Sequence, residues 1–240
     1  MVFQSNLISI FQNLYRILDF YAFLAGPWPA RSKKKTVGHQ KHLITGPRHQ
    51  RMNLFLLSKN IQDCAKNHCD KHCIKMILEL TQMLYSAWWC NRTVLPLPEL
   101  DPSGKDPYRP THKNHPVSIW VRADPKHYDY TILLAFSLVD EYYRRYGKIH
   151  ACCEHLERLQ TMGAPPLIGA ETYEPPTNKR ATTGLPEGIE YFDCAINDEY
   201  FDKCAVYTNN QLDAVQTYRE YYKLKEIEMK WKKGGVPEWY

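Results

Sequence analysis

QDCAKNHCDKHCIKMILELTQMLYS, residues 62–86, reads as one long helix carrying a polar stripe. At about 100° per residue, His68, His72, Lys75, Glu79 and Gln82 fall within roughly 40° of one line along its surface. Cys69, Cys73, Met76, Ile77, Leu80, Met83 and Leu84 fill the flank that begins roughly 60° away, the pattern of a helix packed into a core. The stripe therefore borders the buried face. Two imidazoles, an ammonium, a carboxylate and an amide in register can hold protons, anions or a metal, and leaving them unpaired beside a core would cost several kcal/mol. They form either a binding or catalytic site or a buried ion-pair seam, with Lys75 and Glu79 joined at i,i+4 and the imidazoles bonded to loop carbonyls.

Charge divides the 240 residues unevenly. Residues 1–51 hold eight Lys/Arg and one acidic residue, which leaves 23 basic and 25 acidic residues in 52–240. Any nucleic-acid affinity must then come from the N-terminal segment or from a local patch, not from the charge of the body. Eight cysteines without a CxxC pair, and no secretory signal of the usual shape, point to reduced thiols in a cytosol or nucleus. A zinc site from Cys64, Cys69, His72 and Cys73 is conceivable, but Cys69 and Cys73 point to the apolar flank and read as small core residues. There is no glycine-rich phosphate loop, GxSxG elbow, HExxH or EF-hand loop.

Residues 1–24 carry Leu7, Ile10, Phe11, Leu14, Ile17, Leu18 and Tyr21 at helical spacing, with polar residues that exclude a membrane span. Arg31 to Arg51 is basic, rich in His and turn residues, and reads as a mobile extension. It is either a nucleic-acid or membrane-surface arm or leader, or an appendage dispensable for folding, since Met52 opens the ordered block. NLFLL (Asn53 to Leu57) reads as a short strand feeding the 62–86 helix. Pro96 to Pro110 and residues 163–190 read as long Pro-rich loops. THKNHPVSIWVR (Thr111 to Arg122) brings His112, His115, Trp120 and Arg122 together, and its return toward the first helix predicts that Trp120 and Arg122 face it. A second helix, Tyr128 to Gly147, is expected to bury Ile132, Leu133, Phe136, Val139 and Tyr143. Its other side lines up Tyr130, Ser137, Glu141, Arg144 and Lys148, with His150 just beyond. A last helix, roughly Asn210 to Lys233, interleaves aromatic and basic residues that either stack on bases or dock on the core, and Trp239 and Tyr240 follow.

These blocks resemble an uncharacterised family of proteins from tailed phages and large DNA viruses. The family shares an MNLFLL-like start, HCDKHxxKMILExxQML, NHPxxxWxR, EYxxRYGKxH and a YRxYY…PEW ending, here Met52 to Leu57, His68 to Leu84, Asn114 to Arg122, Glu141 to His150 and Tyr218 to Trp239. More distantly, the order of parts is similar to the all-helical pyrimidine-dimer DNA glycosylases of the endonuclease V type. In those enzymes an N-terminal amine attacks the sugar C1′ to form an imine, a helix Glu is the central carboxylate, and basic and His residues hold phosphates. The resemblance implies Asp70 or Glu79 as the carboxylate, with His68, Lys71, His72, Lys75, Arg122 and Arg144 around DNA. The 51 residues before Met52 depart from that pattern and leave Lys75, between imidazoles and Glu79, as the candidate imine-forming amine.

The expectation is thus a mainly α single domain over 52–240, with a short N-terminal strand and long Pro-rich loops, behind a basic extension, 1–51. The leading function is an intracellular, glycosylase/lyase-like enzyme acting on DNA bases or lesions in a viral setting. The alternatives are a non-catalytic nucleic-acid-binding accessory protein and a structural protein with a buried seam. Expected catalytic residues are Asp70, His72, Lys75 and Glu79. Expected DNA-contacting residues are His68, Lys71, His115, Trp120, Arg122, Glu141, Arg144, Arg145, Lys148, His150, Trp239 and Tyr240. No metal or small-molecule cofactor is expected, and DNA is the expected partner.

Overall fold

The computed structural model describes residues 52–90, 106–166 and 179–240. The expectations for the extension 1–51, and for the parts of the two long loops at 91–105 and 167–178, lie outside the described residues. The architecture is mainly α. In chain order the described elements are α1 (Ile61–Asn67), α2 (Asp70–Cys90), α3 (Pro116–Ala123), α4 (Pro125–Tyr146) and α5 (Cys153–Met162), then β1 (Arg180–Ala181) and β2 (Phe192–Asp193). α6 (Asp198–Cys204), β3 (Tyr207–Thr208), β4 (Gln211–Leu212), α7 (Ala214–Leu224) and a 3₁₀ turn at Glu226–Glu228 complete them. The strands form two separate antiparallel pairs, β1–β2 and β3–β4. Among the described residues no helix is long and apolar enough to cross a membrane.

α2 and α4 are the central antiparallel pair: Asp70 meets Arg145 at one end, and Trp88 Nε1 donates to Tyr128 Oη at the other. Between them lie the apolar residues read from the sequence, Met76, Ile77, Leu80, Met83 and Leu84, all buried. Cys69 and Cys73 are buried free thiols of this core. α4 begins three residues earlier than expected, because Asp124 caps it by accepting from Lys126 N and Pro125 fills the first turn. Gly147 ends it in the left-handed conformation, φ 61°, its N–H bonded to the Tyr143 carbonyl.

The 62–86 stretch is two helices, not one. His68 leaves the helical conformation and its ring Nδ1 lies 2.7 Å from the Cys64 carbonyl oxygen, while Asp70 N donates outside the helix to the Lys230 carbonyl. The break is held by chain 160 residues away, which no helical period can announce.

Met52 to Leu57 is buried and extended but is not a strand; its polar backbone atoms are taken up by side chains instead of a neighbouring strand. Asn53 N donates to Glu79, Asn67 Nδ2 and Arg219 Nε donate to the Leu57 carbonyl, and Cys64 Sγ donates to that of Phe55. The last helix also differs from expectation. The β3–β4 hairpin turns at Asn209 and Asn210, both at positive φ, and α7 ends at Leu224. Residues 229–240 then run as an irregular strap over the α1–α2 junction, with Trp231 Nε1 donating to the Asn67 carbonyl.

Candidate functional site

The stripe survives on α2 from Lys75 onward and gains a member. Lys75, Glu79, Gln82 and Ser86 share one line, Ser86 falling roughly 20° from Lys75 at 100° per residue. The segment before α3 lies along it. Trp89 Nε1 donates to the Tyr108 carbonyl at 2.8 Å, and Ser86 Oγ accepts from Thr111 N at 3.2 Å and shares its one proton between the Gln82 carbonyl at 2.8 Å and the Thr111 carbonyl at 3.2 Å. The chain from Tyr108 to His112 therefore descends α2 toward Glu79.

Glu79 is the centre of this arrangement. Its side chain is 8% exposed, Lys75 Nζ lies 2.5 Å from Oε1, and Asn53 N donates to Oε2 at 3.1 Å. Burial raises its pKa above the usual carboxylate range, and the Lys75 ammonium, the Asn53 N–H and the His112 charge offset part of that rise. Lys75 is 44% exposed, so this ion pair has one face open to solvent. Asn53 is fixed in turn: Nδ2 donates to the Ala195 carbonyl and Oδ1 accepts from Tyr218 Oη. His115 stands at the start of α3 and burial, then the neighbouring His112, lowers its pKa to about 4. Arg122 is buried and donates to the Lys113 carbonyl at 2.5 Å.

A second cluster sits at the opposite end of α2 and is structural. Arg145, its side chain 0% exposed, donates to Glu141 Oε1, Asp70 Oδ1 and the Lys66 carbonyl. Glu141 also takes Arg144, and these two guanidiniums outweigh the upward push of burial and hold its pKa below the usual range. Asp70 further accepts from the backbone N–H groups of Lys233 and Gly234. The geometry therefore corrects the roles read for three residues. Asp70 is not a free catalytic carboxylate, and Glu141 and Arg145 are committed to each other and shielded from DNA.

His68 and His72 also leave the expected site. His72 Nδ1 lies 2.6 Å from Tyr222 Oη and its ring stacks on Phe55 at 4.6 Å; burial, then the charges of His68, Lys71 and Lys75, lower its pKa to about 3. His68 is fully buried, which lowers its pKa to about 4 against the pull of the Cys64 carbonyl. Trp120, expected to face α2 and contact DNA, is 1% exposed; it stacks on His127 at 4.2 Å and donates to the Tyr191 carbonyl, so its ring has no face for a base. On α4 the expected faces are partly exchanged. Tyr130 and Glu141 are buried, and Tyr143 is at the surface, because the ion cluster turns the Glu141 side toward α2.

Trp239 packs edge-on against Tyr222 beneath the Arg219 guanidinium, and Tyr240 against Trp231, so both rings close the aromatic cluster at the strap. His150 lies edge-on to Tyr142 and its Nδ1 accepts from Cys152 N. Lys71, Lys75, Arg144 and Lys148 are the expected cations with exposed side chains. Among the described residues no group of three or more His, Cys, Asp or Glu side chains is arranged to hold a metal.

Sequence reasoning missed Asn53, Ser86 and Tyr222 as partners of the stripe. Ser86 was findable, since the same 100° step extends the line to it. Asn53 acts through a backbone N–H, which has no sequence signature. Compared with known proteins, the chain matches no family model, no curated protein and no solved structure.

Proposed function

We propose that residues 52–240 act on DNA bases or lesions as a glycosylase/lyase-like enzyme. The observation that carries this reading is the set of groups on one buried carboxylate: Glu79 holds the half-exposed amine of Lys75 and the backbone N–H of Asn53. An imine-forming site needs an amine that can shed a proton beside a group able to take it. Glu79, with its pKa raised by burial, supplies that acceptor 2.5 Å from Lys75 Nζ. On an abasic site the neutral amine adds to the C1′ aldehyde and water leaves, giving an imine that borohydride reduces to a stable amine. Lys71, Arg144 and Lys148 supply exposed cations for the phosphates of such a partner. The viral and intracellular setting belongs to the same proposal and rests on the resemblance of the sequence blocks.

The test is borohydride trapping on abasic-site duplex DNA. A covalent adduct is expected with the parent chain, and its loss is expected in Lys75→Met and Glu79→Gln. No adduct with the parent refutes the reading. The buried-seam alternative has its own observation, the internal pairing of Asp70, Glu141 and Arg145, and Glu79→Gln separates the two. A purely structural Lys75–Glu79 pair lowers stability on this change by about 1–3 kcal/mol, below the fully buried case because Lys75 can be solvated. A site pair loses trapping with little change in melting.

A further inference from the structure

We propose that Tyr218 is a positioning residue for Glu79: acting through Asn53, it pins one carboxylate oxygen to a backbone N–H and leaves the other, Oε1, to carry the protons of the reaction. The proposal rests on the imine-forming reading of the Lys75–Glu79 pair. Every link is a hydrogen bond or ion pair of stated length. Asn53 N donates to Glu79 Oε2 at 3.1 Å, while Lys75 Nζ stands 2.5 Å from Oε1, so the two oxygens of one carboxylate have different neighbours. The Met52–Leu57 segment is extended but unpaired, so no strand ladder decides where the Asn53 N–H points. Its side chain does. Asn53 Oδ1 accepts from Leu54 N at 2.9 Å and from Tyr218 Oη at 3.1 Å, and Nδ2 donates to the Ala195 carbonyl at 3.2 Å. Ala195 N donates back to Tyr218 Oη at 3.1 Å, which closes a ring of Asn53, Tyr218 and Ala195 drawn from three separate parts of the chain. The Tyr218 hydroxyl uses both its donor and its acceptor in that ring, and the side chain is 0% exposed.

The chemistry needs a carboxylate that stays in place while the lysine moves. The Lys75 ammonium first gives a proton to Oε1, and the neutral amine then adds to the C1′ aldehyde, its second proton passing to the aldehyde oxygen to give a carbinolamine. The Glu79 carboxyl next returns its proton to that hydroxyl, which leaves as water; the C–O bond breaks, the nitrogen lone pair forms the C=N bond, and the products are an iminium and the Glu79 carboxylate. Lys75 is half-exposed and its Nζ shifts onto the sugar in these steps. A carboxylate held by Lys75 alone would be free to turn to water once the ammonium is gone. The Asn53 N–H does not exchange its proton in the reaction, so it holds Oε2 throughout and keeps Oε1 aimed at the carbinolamine.

The experiment uses the full chain and Tyr218→Phe, with Tyr128→Phe as its control. Tyr128 is also 0% exposed, and its hydroxyl likewise accepts and donates, from Trp88 Nε1 at 3.1 Å and to the Leu159 carbonyl at 3.5 Å, but none of these groups touches Glu79. Both variants are expected to lower the melting temperature comparably. Single-turnover borohydride trapping on abasic duplex DNA should then separate them: in Tyr218→Phe the rate at saturating DNA falls about 10- to 100-fold with the half-saturating DNA concentration unchanged, and in Tyr128→Phe neither moves. Asn53→Ala, which keeps the N–H and deletes the side chain that aims it, is expected to match Tyr218→Phe. Rates equal to the parent's in both site variants, or equal losses in Tyr218→Phe and Tyr128→Phe, overturn the positioning role and leave the site reading intact. A parent that does not trap overturns the site reading and the role within it. A second readout needs no DNA. Met52–Asn53 is the one Met-Asn pair in the sequence, so ¹³C′-Met and ¹⁵N-Asn labelling picks out a single amide, whose proton shift should follow the ionisation of Glu79 in the parent, lose that pH response in Glu79→Gln, and weaken in Tyr218→Phe. A parent amide indifferent to Glu79, or a response undiminished in Tyr218→Phe, overturns the linkage.

Discussion

Asp70→Ala should unfasten the C-terminal strap. Its carboxylate accepts from Lys233 N at 3.0 Å, Gly234 N at 3.3 Å and Arg145 Nη1 at 3.1 Å, and the arginine has no solvent to turn to. Complete removal of a partner from a buried pair costs about 3–5 kcal/mol, but Glu141 still neutralises Arg145 here, so the cost falls below that range, to about 2 kcal/mol. Hydrogen bonds from N–H groups to a charged acceptor contribute about 1.5–3 kcal/mol each, and water at the exposed Lys233 replaces much of that, leaving about 1 kcal/mol for the two. The total of about 3 kcal/mol corresponds to a fall in melting temperature of roughly 6–12 °C for a domain of this size. The local effect is larger than the global one, because Asp70 N still donates to the Lys230 carbonyl and Trp231 still donates to the Asn67 carbonyl, while the strap beyond loses its anchor. Limited trypsin digestion, read by mass spectrometry, should therefore show faster cleavage after Lys232 and Lys233 than in the parent. Lys71→Ala is the control: its bridge to Glu228 is exposed on both sides and contributes about 0–1 kcal/mol. An Asp70→Ala protein that melts within about 1 °C of the parent and digests at the same rate would refute the assignment of Asp70 to the strap.

Gly234→Ala should destabilise by about 1–3 kcal/mol, because the new Cβ would lie 2.5 Å from Cζ of the buried Arg145; a neutral melt sinks this. Acidification should unfold the domain through His68 and His72, whose folded pKa values near 4 and 3 lie below the unfolded value of about 6.5. The unfolded chain then binds protons that the folded one refuses, so stability is complete above about 6.5 and falls by about 1.4 kcal/mol per pH unit per histidine on the way down to 4. Urea midpoints across that window should slope accordingly, less steeply in His72→Phe, and a flat profile contradicts the burial argument. Trp120→Ala should cost about 3–5 kcal/mol as a core deletion and, on the proposed DNA-binding reading, should leave the salt dependence of binding by the surviving folded protein unchanged. On the same reading, Arg144→Ala should reduce that salt slope by about one.

Legible in the sequence were the helical class, the apolar flank of 62–86, the stop at Gly147 and the Lys75–Glu79 pair. Each depends on neighbours a turn or less apart, so residue type and a 100° step suffice. The break at His68 and Cys69 escaped, because the 62–86 pattern is continuous and the interruption is held by the Lys230 carbonyl and the strap. α3 escaped as well: Thr111 to Arg122 was read without a helix, although Pro116 stands at its first position, where proline is favoured.

The candidate site divides along the same line. Sequence alone brought His68, His72, Lys75, Glu79 and Gln82 onto one stripe and raised the choice between a site and a seam. Tertiary structure split the set. His72 went to Tyr222, while Glu79 kept an open side toward Lys75 and met the chain at Asn53. A helical period fixes which residues share a face, since the backbone geometry repeats locally. Which of those faces finds a carbonyl, a guanidinium or solvent depends on contacts across as many as 165 residues, and these are set by how the whole core packs.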